Sequence, residues 1–206
     1  MFGFGNFRTL AAAAVLVMTA GVAQAVPLPF TFDFSTTPAG FTITGDSVTN
    51  GNCPFGTNPC SHVNDNATIT ITRTDTISLF DILSATFRFQ GQGNGNGILF
   101  EGLLSGSVVG TASFLIGASS GFGDAILALG STPINRRVDY KALFNSNFAG
   151  IDTFRITSVK TGNNSAQVRV DTIAGSVAPI PVPAAGLLLL GALGGLAALR
   201  RRRRAV

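Results

Sequence analysis

Apolar and polar residues alternate one by one in several stretches of the middle of the chain. An alternation with period two predicts strands that bury one face and expose the other. The stretches are rich in Phe, Ile, Val and Thr, which suit the pleated surface of a sheet. Segments rich in Gly, Asn, Ser and Asp separate them and supply turns. The clearest alternations lie at residues 30–34, 41–44, 68–72, 86–89 and 167–171.

This pattern predicts an all-β domain over residues 26–178, built as a two-sheet antiparallel sandwich of the jelly-roll type. About eight to ten strands of this length suit such a fold. Each predicted strand has one apolar face, so each sheet needs a partner layer, and phenylalanines would fill the space between the layers. The pattern allows a short helical turn only at residues 79–83 and 140–144.

The first 25 residues have the pattern of a secretory signal peptide. Arg8 supplies the positive start, an apolar run at residues 10–22 follows, and Ala23-Gln24-Ala25 matches a small-residue cleavage site. The run is too short to span a membrane. Cleavage after Ala25 would make Val26 the first residue of an exported chain.

Three segments follow the predicted sandwich in a fixed order. They are a proline-rich linker at residues 179–183, an uncharged apolar stretch at 184–199 and an arginine-rich tail at 200–206. The apolar stretch would extend about 24 Å as a helix, against about 30 Å for the hydrocarbon core, so it predicts a short transmembrane helix. The tail would stay cytoplasmic by the positive-inside rule. The sandwich would then face outward, in agreement with the signal peptide.

This order of segments resembles the C-terminal sorting signals of the PEP-CTERM family, in the VPLPA-type variant. The motif reads Ile180-Pro181-Val182-Pro183-Ala184, with Ile for the leading Val and Val for Leu. The resemblance implies insertion into the inner membrane and processing by an exosortase-type or archaeosortase-like enzyme. It also implies export to the cell surface or the extracellular space and an association with exopolysaccharide. Residues 80–84 and 169–173 are similar to stretches of jelly-roll, galactose-binding-like domains.

The charge distribution argues against nucleic acid as a partner. The net charge of the 206 residues is +4, but Arg8 and the run at residues 200–204 make up six of the 14 basic residues. Eight basic residues therefore stand against 10 acidic ones in the predicted sandwich. A nucleic-acid surface needs clustered Lys and Arg on the folded domain.

The two cysteines favour a disulfide. Cys53 and Cys60 are the only cysteines, and an even number in an exported protein usually forms bonds. The alternative is a metal site with His62 as a third ligand, but the spacing does not match a zinc pattern.

The stretch at residues 91–97 lacks the Lys-Ser/Thr ending of a phosphate-binding loop, so we interpret it as a flexible connection between strands.

One metal site is worth retaining, a calcium site made of carboxylates and backbone carbonyls. Asp33 on the first predicted strand and Asp171 on the last would meet if the ends of the domain were adjacent. Asp46 and Asp65 are the alternatives. No other cofactor is expected.

The sequence does not favour catalysis, and we expect a non-enzymatic protein. His62 is the only histidine and Glu101 the only glutamate, whereas a glycosidase needs two carboxylates flanking one bond. A surface hydrolase would require His62 or a carboxylate pair in a cleft. We prefer a structural surface or matrix protein, and the alternative is a carbohydrate-binding module with or without calcium. Sugar sites usually stack on exposed Trp or Tyr, and because Trp is absent and Tyr140 is the only tyrosine, the composition argues partly against sugar binding. A sugar site would then have to be a polar one built from Asn and Asp.

Overall fold

The structure is a computed structural model that describes residues 27–45, 48–49, 51–57, 59–75, 78–90 and 93–177. The predicted signal peptide with Ala23 and Ala25, the sorting motif at 180–184, the apolar stretch at 184–199 and the tail lie outside these residues, and so does Asp46. Among the described residues, no helix is both long and apolar enough to cross a membrane. All of the described residues belong to one compact unit.

Two antiparallel sheets pack face to face as a sandwich, which confirms the predicted all-β fold. The described residues form β1 (Leu28–Phe32), β2 (Phe41–Thr44), β3 (Val48–Thr49), β4 (Cys60–Asn64), β5 (Thr68–Arg73), β6 (Phe80–Phe89), β7 (Gly97–Leu104), β8 (Ser107–Leu115), β9 (Ala125–Leu129), β10 (Asp139–Phe144), β11 (Thr153–Val159) and β12 (Gln167–Val177). Sheet A has the strand order β3-β4-β12-β6-β10-β9, with β1 also paired to β12, and sheet B has the order β2-β5-β11-β7-β8. Short 3-10 helices lie at Pro54–Gly56 and Ser146–Phe148.

Aromatic rings fill the space between the sheets, as the alternation predicts. Phe87 of sheet A lies 5.8 Å from Phe100 and 5.1 Å from Phe114 of sheet B, measured between ring centres. Such ring pairs add about 0.5–1.5 kcal/mol each beyond the burial of their area. The largest fully buried side chains are Tyr140 with Phe32, Phe80, Phe87, Phe89, Phe100, Phe114, Phe148 and Phe154.

The helical turn predicted at residues 79–83 is wrong, because these residues lead into and begin the long strand β6. The register of β6 with β12 shifts near Ile82 and Ser84, and Leu83 occupies the extra position. Phe80 and Ile82 are buried while Leu83 is exposed. A bulge puts one additional residue into a strand. Here that residue is Leu83, and because it is apolar like Ile82 before it, the period-two alternation is interrupted in the sequence.

The second predicted turn, at residues 140–144, is also wrong, because these residues lie in β10. Tyr140 and Ala142 are buried in the core and alternate with outward positions. Leu143 points outward but is apolar, so two apolar residues, Leu143 and Phe144, follow each other. The alternation of a strand is therefore interrupted in the sequence. The outer face of sheet A is therefore partly apolar at β10.

The predicted connection at residues 91–97 does join β6 to β7. Its last loop residue, Asn96, is buried. The Asn96 amide nitrogen donates to the carbonyls of Asn164 and Ser165, each at 3.2 Å, and its oxygen accepts the Thr161 N–H at 2.8 Å. Asn96 thus fixes this loop to the loop before β12.

Replacing a central ring should strongly destabilise the sandwich. Phe100→Ala removes a ring that stacks on Phe154 at 5.9 Å, and we expect a loss of about 3–5 kcal/mol in the free energy of unfolding. Urea denaturation followed by circular dichroism measures this change. Val109→Ala, an exposed position on β8, is the control and should stay within about 0.5 kcal/mol of the parent. Equal effects of the two substitutions would contradict the assigned core.

Candidate functional site

An exposed aliphatic patch lies on the outer face of sheet A. We call Leu83, Ile126, Leu129 and Leu143 the aliphatic patch. Leu143 of β10 pairs in register with Ile126 of β9, and Leu83 lies in the bulge of the neighbouring strand β6. Ile126 is 64% and Leu143 38% exposed. Several exposed aliphatic side chains on one face of a sheet indicate an interaction surface better than scattered ones do.

A polar cluster lies beside this patch, where β9 begins and β10 ends. The Asp124 carboxylate accepts the side-chain N–H groups of Asn145 at 3.2 Å and Asn147 at 2.8 Å. It also accepts the backbone N–H of Thr111 at 2.9 Å. The Thr111 hydrogen bond, with help from the two amides, lowers the pKa of Asp124, so the carboxylate is ionised at neutral pH.

The local backbone fixes these amides. Asn145 caps the 3-10 helix Ser146–Phe148, and its side-chain oxygen accepts the Asn147 N–H at 2.9 Å. The backbone N–H of Asn145 donates to the carbonyl of Asp124 at 3.0 Å, which ties the end of β10 to the start of β9. The polar groups are therefore held in place before any ligand binds, which lowers the entropic cost of binding.

A groove of about 210 Å³ joins the polar cluster to the aliphatic patch. Asp124 and Asn145 line it together with Ile126 and Leu143. Hydrogen-bonding groups next to apolar surface are the usual composition of a site for small or polymeric ligands. The site requires β9 and β10 to be paired, so sequence spacing alone could not reveal it.

The disulfide predicted between Cys53 and Cys60 is confirmed. The loop that it closes contains the 3-10 helix Pro54–Gly56, which contacts β6, β10 and β12 of sheet A. Phe55 in this loop is 47% exposed and has a φ of 52°. A left-handed backbone is unfavourable for a residue with a side chain and often marks a functional position.

Phe55 departs from the pattern of the sequence, which predicts phenylalanines in the core. Among the described residues it is the only aromatic side chain in the set of exposed large hydrophobic residues. Its position between Pro54 and Gly56 in a short cysteine loop was the available signal, because such a loop is too small to bury a ring. Tyr140, by contrast, is fully buried and bonds to the backbone of Asn135, so it cannot offer its ring to a ligand.

The predicted calcium ligands Asp33 and Asp171 come near each other, because β1 pairs with β12 and Phe32 lies opposite Ile173. Asp171 is only 2% exposed and accepts the hydroxyl groups of Thr57 and Thr172. Burial, with a smaller contribution from the Asp33 charge, raises the pKa of Asp171.

The carboxylates of Asp33 and Asp65 are each engaged by neighbouring groups of the protein. Asp33 accepts the N–H and O–H of Ser35 at 3.0 and 2.7 Å, which lowers its pKa. The alternative Asp65 is engaged by Lys160 at 2.9 Å and by Ala166. In the part of the chain that the structure describes, no group of three or more His, Cys, Asp or Glu side chains is placed to hold a metal ion. The calcium site stays a prediction.

The two residues considered for catalysis lie on different sheets. His62 is on β4 of sheet A, opposite Arg169. Glu101 is on β7 of sheet B and forms an ion pair with Arg155 at 2.9 Å. The structure therefore does not bring the histidine and the glutamate into one cleft.

No protein-family model matches the chain, and no curated protein matches it significantly. Among solved structures, the low-affinity xylan-binding module CBM86 of Roseburia intestinalis is 12% identical with a TM-score of 0.36, covering 74% of this chain and 96% of that one. The C-terminal family 22 carbohydrate-binding module of Clostridium thermocellum Xyn10B is 10% identical with a TM-score of 0.35, covering 72% and 93%. The catalytic domain of a GH87 α-1,3-glucanase is 11% identical with a TM-score of 0.37, covering 73% and 28%. At these values the similarity assigns neither a ligand nor an activity to this chain.

The stability of the protein should depend on the ionisation of Asp171. Because the pKa of Asp171 is raised in the folded state, the folded protein binds the proton of the Asp171 carboxyl group more tightly than the unfolded chain does. The resulting stabilisation is complete below the unfolded pKa, near 3.8, and is lost as the pH rises through the folded pKa. The side chain of Asp171→Asn does not titrate and so lacks this pH dependence. As the pH rises from 3 to 7, the parent loses stability at Asp171 and the variant does not, so we expect the melting temperature of the variant minus that of the parent to increase.

Asp33→Asn is the matched control for this measurement. The pKa of Asp33 is lowered by Ser35, so its carboxylate stabilises the fold above the unfolded pKa and this contribution is lost in acid. The relative stability of Asp33→Asn should therefore change with pH in the opposite direction. The same direction in both variants would show that the assignment of Asp171 is wrong.

Proposed function

We propose that this chain is an exported, non-catalytic surface protein whose sandwich binds polysaccharide on the outer face of sheet A. The observation that carries the proposal is the groove in which Asp124 and Asn145 lie next to Ile126 and Leu143. A sugar ring offers hydroxyl groups that donate and accept hydrogen bonds, and it offers apolar C–H faces. The groove supplies a partner for each of these features.

The hydrogen-bonding capacity of the cluster fits this ligand class. An ionised carboxylate has about four acceptor positions, and Asn145, Asn147 and Thr111 occupy three of those of Asp124. The carboxylate is thus oriented and can still accept a hydroxyl group. The amide nitrogens of Asn145 and Asn147 each have a second N–H to donate. The exposed ring of Phe55 adds apolar surface on the same face of the sheet.

The C-terminal segments support a second part of the proposal, that the chain is a PEP-CTERM-type substrate. The motif at residues 180–184, the apolar stretch and the arginine tail would direct the precursor to the inner membrane and to an exosortase-type enzyme. Together with the signal peptide, they would bring the sandwich to the cell surface or the extracellular matrix. A sandwich that binds exopolysaccharide would be retained there. The two antiparallel sheets also support a jelly-roll, galactose-binding-like relationship for the domain.

Binding of the full-length protein to a panel of neutral and acidic polysaccharides tests the first part. We expect at least one polymer to bind in isothermal titration calorimetry. Asp124→Asn should weaken that binding about tenfold or more, since a hydrogen bond to a charged group contributes about 1.5–3 kcal/mol. Ile126→Ser should also weaken binding, and because Ile126 is exposed, the fold should not be affected.

Asp152→Asn is the matched control for this assay. The Asp152 carboxylate accepts the backbone N–H of Ser105 at 2.6 Å, next to sheet B, so its replacement should leave binding unchanged. Failure of every polymer to bind would contradict the proposed function.

A chelator in the same assay tests the calcium prediction at Asp33 and Asp171. Loss of polysaccharide binding in the presence of the chelator supports the prediction, and unchanged binding contradicts a calcium requirement.

Intact-mass spectrometry of the protein from its native cell envelope tests the sorting part. The expected mass is that of a chain that begins at Val26 and has lost the residues beyond about 183. Cleavage at Ala25 follows from the small residues at Ala23 and Ala25. A cytoplasmic protein with both ends intact would contradict export and sorting.

A further inference from the structure

Three basic side chains lie in one row across the outer face of sheet A. Arg169 on β12 is opposite His62 on β4 and also opposite Arg88 on β6. Their strand neighbours, such as Val168 and Phe87, are buried in the core, so the three side chains point away from it. We call His62, Arg169 and Arg88 the basic row.

Several nitrogen atoms of this row are buried and have no hydrogen-bond partner among the residues that the structure describes. They are Nε and Nη1 of Arg169 and Nε2 of His62. Buried polar groups in proteins are nearly always paired, because an unpaired one loses its hydration without compensation. A guanidinium cannot avoid this cost by losing its proton. The unpaired Arg169 donors therefore indicate an acceptor that the described residues do not supply.

The missing acceptor should carry negative charge. Burial lowers the pKa of Arg169, and burial together with the Arg169 charge lowers that of His62. The lowered pKa keeps the His62 ring uncharged at neutral pH, so the charge of the row that lacks a counter-charge among the described residues is the Arg169 guanidinium. Asp139 accepts two hydrogen bonds from Arg88 and is thus committed to it. Asp171, two residues from Arg169, is engaged by Thr57 and Thr172.

Three further acidic residues of the described part of the chain are held in ion pairs on other strands or loops. Beyond the Arg88 pair, the ion pairs of the described residues join Arg73 to Asp75, Arg155 to Glu101 and Lys160 to Asp65. The Arg169 guanidinium takes part in none of the ion pairs of the described residues.

A groove of about 300 Å³ opens at the same end of sheet A and is lined by Asn135, Arg136 and Arg137. The backbone N–H of Arg137 donates to the carbonyl of Phe89 at 2.9 Å, directly after Arg88. This contact brings a second pair of arginines to the end of the sheet that carries the basic row. An anionic chain has space to lie along this end.

We propose that the basic row binds a singly charged oxyanion carried by a sugar unit, so that the ligand of the sandwich is an acidic polysaccharide. One uncompensated guanidinium matches one carboxylate of a uronic acid or one sulfate ester, and charge-assisted hydrogen bonds of this kind are strong. The inference rests on the proposed function and specifies the class of polysaccharide. Asp139 and Phe144 mark the two ends of β10, about 17 Å apart. A polymer could therefore reach both the basic row and the groove at Asp124.

Nuclear magnetic resonance of the labelled full-length protein tests the proposal. His62 is the only histidine, so its ring gives one set of signals. The probes are an oligogalacturonate, a sulfated galactan oligosaccharide and a neutral galactan oligosaccharide. We expect saturable shifts of the His62 signals with at least one charged probe and none with the neutral probe. The probe that responds identifies the carboxylate or the sulfate as the source of the charge.

Arg169→Gln should remove the response and weaken binding of the charged probe about tenfold or more. Arg155→Gln is the matched control, because Arg155 is on sheet B and is already paired with Glu101, and it should leave the response unchanged. Without ligand, Arg169→Gln should be at least as stable as the parent, since it removes unpaired buried donors. His62→Gln provides a second variant, and its effect on affinity should be in the same direction.

Three results would overturn the proposal: no shift with either charged probe, equal shifts with the neutral one, or an undiminished response in Arg169→Gln. A large loss of stability in Arg169→Gln would also overturn it, because the guanidinium would then be held by the protein. Shifts confined to the side-chain amides of Asn145 and Asn147 would contradict the basic row and support the proposed function. Absence of binding to every polysaccharide would instead contradict the proposed function.

Discussion

Packing of aromatic rings between the two sheets is the constraint on which the rest of this structure depends. Rings from β1, β2 and β6 interlock at one end, where Phe32 lies 5.0 Å and Phe80 5.4 Å from Phe41, and rings around Phe87 and Phe100 do so further along. Buried rings contribute most of the apolar area that stabilises a sandwich. Because the inner faces are occupied in this way, ligand chemistry is left to the outer faces and the loops.

The two outer faces differ in chemistry. Sheet B presents threonines such as Thr70 and Thr157 around the Arg155–Glu101 ion pair, which β-propensity and solubility explain without a ligand. Sheet A instead carries the aliphatic patch, the basic row and the loop closed by Cys53 and Cys60. A loop of this size gains about 2 kcal/mol from its disulfide, which keeps the loop on the sheet. These features are the reason why we propose the ligand site on sheet A.

The sequence was sufficient for the fold class, the main strands and the disulfide, because these depend on local alternation and on a pair of cysteines close in sequence. It failed at the β6 bulge and at β10, where exposed Leu83 and Leu143 break the alternation. It could not identify the groove, since Asp124 and Asn145 meet only through the pairing of β9 with β10. The basic row could not be identified from the sequence either, because its three residues lie on three different strands. In addition, the net charge of the domain does not show where its basic residues lie.

The most direct test of this account is hydrogen exchange of the full-length protein with and without its polysaccharide, read by mass spectrometry at peptide resolution. The account predicts slower exchange on binding in the segments around residues 123–129 and 135–147, in the cysteine loop and in the part of β12 near Arg169. Sheet B should exchange at the same rate in both states. Protection confined to β5, β8 and β11 of sheet B would contradict the account, since the ligand would then lie on the threonine-rich face.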